Sequence, residues 1–242
     1  MKIHGIHPVE EIIETSKTQI EHIYFSKHKA NSGLFYLLKQ CKKMKIPYSL
    51  VPNSKIKSIA KSDSHQGIVA ITSDITLLEE DEIYYNVENG IFQRIFVPSN
   101  IQDPHNLGAI IRSAVAFNVD LILLEKKRNT PISSTVYKTS AGMIEKISVA
   151  KPDNLSKLLS TIKKLGFEIV GADNNSEKLL SEGSFSKRTV IITGNEHKGI
   201  PKYLKELCDC MYRIKMSKHA ESLNVSVAAA IIMYEINKGH IK

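Results

Sequence analysis

The sequence predicts an α/β protein in two parts, the second built on a mostly parallel sheet. Short β-branched runs alternate with helically periodic stretches along the whole chain, the signature of strand–helix units. Formal charge falls into three blocks: residues 1–73 carry a net +6, residues 74–90 a net −6 and the remainder a net +8. Two basic bodies thus flank an acidic connector. Three polar loops, at 101–108, 191–201 and 221–226, each abut an apolar element, which suggests one shared pocket.

In the first body the apolar stretches are Pro8 to Glu14, Ile20 to Phe25, Leu34 to Met44, Tyr48 to Val51, Ile56 to Ala60 and Gly67 to Thr72, together a small α/β sandwich. Its lysines fall on predicted helix faces and loops, with Tyr24, Phe25, Phe35, Tyr36 and Tyr48 interleaved and read as core. The domain boundary is placed in 74–90, whose acids suit the first turn of a short helix.

The second body, 91–242, opens with a strand from Phe92 to Val97. A loop over 103–108 and a helix from Ala109 to Phe117 follow, with Arg112 about one turn into that helix. Then come the strand Leu121 to Leu124, a basic loop to Pro131, a polar turn at 137–142 and a helix from Asn154 to Leu165. Strands at Ile169 to Ala172, Val190 to Thr193 and Tyr212 to Met216 complete the alternation. Val225 to Ile236 is apolar nearly all round and reads as a buried helix capped by Ser222 or Asn224.

No apolar run approaches the roughly 20 residues of a membrane span, and the amino terminus lacks the apolar core of a signal peptide, so the expectation is cytoplasmic. Three cysteines, Cys41, Cys208 and Cys210, read as reduced thiols. Cys208 and Cys210 have no second ligand pair at zinc spacing, so no metal is expected. The basic blocks are the footprint of a polyanion binder, although solubilising lysines would look the same. A glycine-rich dinucleotide fingerprint and a phosphate loop are both missing from the sequence.

In the central loop the run Ile191-Ile192-Thr193 leads into Gly194 and Gly199, with Glu196 between them. Glycine permits close backbone approach to a ligand, and Glu196 places one acceptor at the strand's carboxyl end. Taken singly, Asn106 and Ser222 are equally readable as helix caps and Glu196 as a surface acid.

Taken in order, Asp103-Pro104-His105-Asn106-Leu107-Gly108 with Arg112, Gly194-Asn195-Glu196-His197-Lys198-Gly199-Ile200, and Ile214-Lys215-Met216 through Ser222-Leu223-Asn224-Val225-Ser226 resemble the three motifs of the SpoU (TrmH-like) branch of the SPOUT RNA methyltransferases. The resemblance runs through Lys138-Thr139-Ser140-Ala141-Gly142, and 1–73 is similar to an L30e-like RNA-binding domain. It implies an α/β fold with a deep carboxyl-terminal trefoil knot, a homodimer, and methyl transfer from S-adenosylmethionine to an RNA ribose 2′-hydroxyl, with the large-subunit rRNA guanosine type nearest. Implied catalytic residues are Asn106, Arg112, Glu196, Ser222 and Asn224; implied donor contacts are Thr193, Gly194, Gly199, Ile214, Met216 and Leu223. Lys42, Lys43, Lys45, Arg128 and Lys138 are candidate RNA contacts.

Two positions depart from the family pattern: Lys215 stands where proline is usual and Lys218 where glycine is frequent. They motivate an alternative, a non-catalytic RNA-binding or ribosome-assembly protein on the same scaffold. A tRNA ribose methyltransferase is the second alternative. Arginine keeps its proton in proteins, so phosphate binding and charge stabilisation suit Arg112 better than a role as base.

Overall fold

The structure, a computed structural model, describes residues 1–15, 20–27, 31–72, 75–195 and 198–239. The chain divides into two compact units: 1–75 together with 132–145, and 76–131 together with 146–242.

The first unit is a four-stranded sheet with helices α1 (Ile6–Thr15), α2 (Ser32–Met44) and α3 (Asn53–Ala60). Its strands β1 (Lys2–His4), β2 (Ile20–Ser26), β3 (Tyr48–Val51) and β4 (Ile68–Thr72) stand in the order β1-β4-β2-β3. The pair β2–β3 is parallel, while β4 runs antiparallel to both β1 and β2. Helix α2 is capped by Asn31, whose Oδ1 accepts from the Gly33 N–H at 2.8 Å, and it buries Leu34, Leu37 and Cys41 along one face. The short helix α6 (Ser134–Thr139), capped by Ser133, belongs to this unit.

Phe25 is buried, but two aromatics read as core are on the surface: Phe35 is 63 % exposed and Tyr36 44 %. Leu34 and Leu37 already occupy the face of α2 that meets the sheet, so Phe35 and Tyr36, one position on from Leu34 and one back from Leu37, turn outward.

The second unit begins with α4 (Glu80–Glu88), where Glu79 and Glu82 form a capping box and Ile83 and Val87 enter the core. Six strands follow: β5 (Arg94–Pro98), β6 (Leu121–Leu123), β7 (Ser148–Ala150), β8 (Glu168–Ala172), β9 (Thr189–Thr193) and β10 (Cys210–Tyr212). They pair in the order β10-β8-β9-β5-β6-β7, every pair parallel. The apolar stretches Ile95-Phe96-Val97 in β5, Leu121-Ile122-Leu123 in β6 and Val190-Ile191-Ile192 in β9 are what a sheet buried on both faces requires, and all three strands are buried throughout. Helices α5 (Pro104–Ala116), α7 (Leu155–Lys164), α8 (Lys202–Lys205) and α9 (Val225–Asn237) flank the sheet.

Three expectations are corrected. The strand expected over 212–216 is β10, ending at Tyr212. Helix α5 begins at Pro104, five residues earlier than expected, because Asp103 caps it and Pro104 takes the first helical position, where a missing N–H costs nothing. Helix α9 is not buried all round: Val227, Ile231 and Tyr234 are exposed. Among the described residues no helix is long and apolar enough to cross a membrane, and the three cysteines are free thiols.

Candidate active site

The winding of the parallel sheet reverses between β5 and β9, whose carboxyl ends, Pro98 and Thr193, are direct neighbours. Such a reversal opens a crevice beyond the strand ends, the usual place for a ligand in an open α/β sheet. Ser99 N donates to Thr193 O at 2.8 Å as the two chains part. Buried Asn129 then fixes the loop after β5: its Nδ2 donates to Pro98 O at 2.9 Å and its Oδ1 accepts from Ile101 N at 2.7 Å. Glu125 braces the same corner, accepting from Ser99 Oγ at 2.6 Å and from the Tyr203 hydroxyl of α8. Burial and the Glu125 carboxylate hold the Tyr203 phenol well above its ordinary pKa.

On the β9 side, Gly194 and Gly199 meet backbone to backbone. A Cβ on Gly194 would stand 1.9 Å from Gly199 C and 2.3 Å from Ile200 N, so no other residue fits there. Gly199 has φ +61°, its N–H donates to Asn195 O at 3.0 Å, and Asn195 Oδ1 accepts from Lys198 N at 2.7 Å, closing the turn. Glu196, expected within this turn, lies outside the described residues.

Beyond these strand ends is a cavity of about 240 Å³. Its lining includes all six expected donor contacts, Thr193, Gly194, Gly199, Ile214, Met216 and Leu223, and also Ser222. Thr193 Oγ1 is buried without a hydrogen-bond partner, a polar atom that a ligand in the cavity would satisfy. The residues at 213–214 are held beside 178–180 by Arg213 N to Lys178 O and Leu180 N to Arg213 O, both 2.9 Å.

Sequence reasoning missed the wall beyond β8: Asp173, Asn174 and Asn175, with Lys205 opposite. Asp173 pairs with Lys205 and accepts from Asn175 N at 2.9 Å. Burial pushes its carboxyl pKa up, but the Lys205 ammonium and the Asn175 N–H outweigh that and hold it below the ordinary value. The available signal was its place at the carboxyl end of a strand paired with β9.

Asn106 and Arg112 sit on α5, and Asn224 caps α9, its Oδ1 accepting from Ser226 N at 2.9 Å. Ser222 is therefore not the cap. Asn224 Nδ2 donates to Asn106 Oδ1 at 3.1 Å, which ties the start of α5 to the helix whose Val225 and Ala228 line the cavity. With α5 starting at Pro104, Arg112 lies about two turns along it, exposed. Lys42 and Lys43 are exposed in the last turn of α2, and Lys45 ends that helix with φ +57°. Lys138 is exposed in the last turn of α6. Arg128 is 3.6 Å from Glu125 and stacks on the Tyr203 ring at 5.1 Å, so its guanidinium braces the loop as well as facing solvent. Among the described residues no group of three or more His, Cys, Asp or Glu could hold a metal ion.

A family model described as the SpoU rRNA methylase family matches residues 93–234, and one described as RNA 2′-O ribose methyltransferase substrate binding matches residues 2–77. The chain is 31 % identical to the 23S rRNA (guanosine-2′-O-)-methyltransferase RlmB of Blochmanniella floridana, over 96 % of this chain and 92 % of that one. It is 30 % identical, over 96 % and 93 %, to a Staphylococcus haemolyticus protein named for the TrmH family of tRNA/rRNA methyltransferases. Among solved structures it is similar in fold to the SpoU methyltransferase AviRb of Streptomyces viridochromogenes in complex with AdoMet, with TM-score 0.76 and 19 % identity over the whole of this chain and 90 % of that one.

Proposed function

Because the chain belongs to the SpoU rRNA methylase family, it is an S-adenosylmethionine-dependent RNA 2′-O-ribose methyltransferase, and we propose that its target is a guanosine of large-subunit rRNA. The relative named for 23S rRNA guanosine methylation supports that target. The observation that carries the donor site is the cavity beyond β9, where the apposed backbone of Gly194 and Gly199 and the unsatisfied Thr193 hydroxyl line one space with Ile214, Met216 and Leu223.

Bound there, S-adenosylmethionine supplies an electrophilic methyl group on a sulfonium. In this reading the backbone of Gly194, Ile214 and Leu223 holds the donor's adenosyl part, Thr193 Oγ1 and the Asp173 carboxylate take its polar groups, and Met216 closes the apolar wall. Arg112 binds RNA phosphate and stabilises charge developing at the ribose oxygen. Asn106, Asn224, Ser222 and Glu196 set loop geometry, so that positioning supplies much of the rate. Residues 1–75 with Lys42, Lys43 and Lys45, together with Lys138 and Arg128, hold the RNA.

Lys215 and Lys218, the two departures from the family pattern, are exposed and take no part in the cavity lining, which favours the catalytic reading over a binding-only scaffold. A homodimer is supported by the apolar stripe Val227, Ile231 and Tyr234, at helical spacing on α9. A trefoil knot is supported by the backbone bonds that hold Arg213 beside 178–180 before the chain reaches Leu223 at the cavity. A cytoplasmic location is supported by the three free thiols and by an RNA substrate.

The test is transfer of labelled methyl from S-adenosylmethionine to protein-free large-subunit rRNA and to bulk tRNA, with Arg112→Ala beside the intact chain. Label in an rRNA guanosine ribose, reduced about 100-fold or more in the variant, is expected. Label in tRNA alone would change the target, and absence of both transfer and donor binding would restore the binding-only alternative.

A further inference from the structure

We propose that the groove between α2 and β3 in the first unit binds an unpaired nucleobase of the RNA substrate, with Phe35 as its stacking face. The inference rests on the reading of this chain as an RNA methyltransferase and adds a contact that reads single-stranded RNA.

Helix α2 has its buried face fully occupied, yet it presents Phe35 to solvent at 63 % exposure. Phe35 also lines a groove of about 500 Å³ with Phe25, Leu34, Leu38 and Leu50, and Ser26 and Asn31 supply polar atoms at its rim. Leu50 is exposed on β3, the edge strand of its sheet, so the groove has an open side. Exposed Phe35 and Leu50 border one apolar groove, and a contiguous apolar surface of this kind marks a binding site where a lone exposed side chain would not.

Charge identifies the occupant. Residues 22–62 contain nine lysines and no aspartate or glutamate. Lys39 Nζ stands 4.9 Å from the Phe35 ring centroid, and Lys42, two turns on from Phe35, falls on the same face of α2. A second copy of the chain would bring like charges together here, whereas RNA brings phosphates to the lysines and a base to the ring. In a duplex the base faces are already stacked on one another, so only an unpaired nucleotide can offer one to Phe35.

The chain contains no tryptophan, which makes Phe35→Trp a single-site reporter in the full-length protein. The probe is an unstructured RNA of about ten nucleotides and the same strand in a duplex. Emission from the reporter should be quenched by the single strand and left unchanged by the duplex at equal occupancy. Phe35→Leu should weaken single-strand binding about tenfold or more, and Lys39→Gln should lower the salt slope by about one. Neither should alter S-adenosylmethionine binding measured by calorimetry.

Silent emission at saturating single strand, or Phe35→Leu binding equal to the parent, overturns the proposal. So does concentration-dependent self-association that Phe35→Leu abolishes while RNA binding is untouched, since that assigns the groove to a second copy. Methyl transfer by the intact chain with a silent reporter would remove the platform and leave the enzyme standing. Quenching in a protein that transfers no methyl would keep the platform and remove the enzymatic reading.

Discussion

Asn224 Nδ2 donates to Asn106 Oδ1 at 3.1 Å, a bond between residues 118 positions apart that joins the first turn of α5 to the cap of α9. Asn224 uses its other amide atom as the helix cap, so its two functions separate by mutation. Asn224→Ala should cost about 1 kcal/mol for the cap and somewhat more for the lost bond, whereas Asn106→Ala should cost less, because Asp103 caps α5. A double-mutant cycle read by denaturant unfolding should give a coupling of about 0.5 kcal/mol or more. Strict additivity would mean that the two asparagines do not support one another.

Gly194→Ala should abolish S-adenosylmethionine binding and lower stability by about 1–3 kcal/mol or more, since the new methyl meets backbone that cannot rotate away. Gly239→Ala, with open space around it, is the control and should match the parent in calorimetry and thermal melting.

The Asp173 carboxyl is held below its ordinary pKa by the Lys205 ammonium and the Asn175 N–H, which outweigh burial. The fold therefore favours the ionised form: the stabilisation is fully present above the unfolded value of about 3.9 and is lost as pH falls through the lower folded value. Unfolding free energy measured between about pH 5 and pH 2 should fall more steeply for the parent than for Asp173→Asn. Parallel pH profiles would show that the Asp173–Lys205 pair contributes nothing to the fold.

Replacing Lys42, Lys43 and Lys45 together by glutamine should weaken RNA binding and reduce its salt slope by about two, with donor affinity unchanged. An unaltered slope in a filter-binding titration would take the carboxyl end of α2 out of the RNA interface.

The proposed homodimer predicts that the intact chain sediments as a dimer and that Ile231→Glu, on the exposed stripe of α9, sediments as a monomer, because a carboxylate at the centre of an apolar contact is left without a partner. A parent that sediments as a monomer at micromolar concentration would remove the stripe from the argument.

Much of this protein is written in short-range pattern. The alternation of strands and helices announced a parallel sheet, and the apolar centres of β5, β6 and β9 are buried on both of its faces. The three loops were legible because their glycines and asparagines sit where strands end and helices begin. The early start of α5 also had a local signal, the cap and first-turn proline Asp103-Pro104, which the expected start at Ala109 passed over. Which faces are left uncovered was not. Composition alone made α9 a buried helix and Phe35 a core residue, yet burial is a property of neighbours brought from elsewhere in the chain. The same holds for the Asp173–Lys205 wall and the bond from Asn224 to Asn106: each joins distant segments that the parallel sheet places together, and no local periodicity encodes such a meeting. The sequence by itself determined the elements, their order and the residue types at the strand ends; the tertiary structure alone decided which of those residues share a cavity and which apolar faces remain exposed.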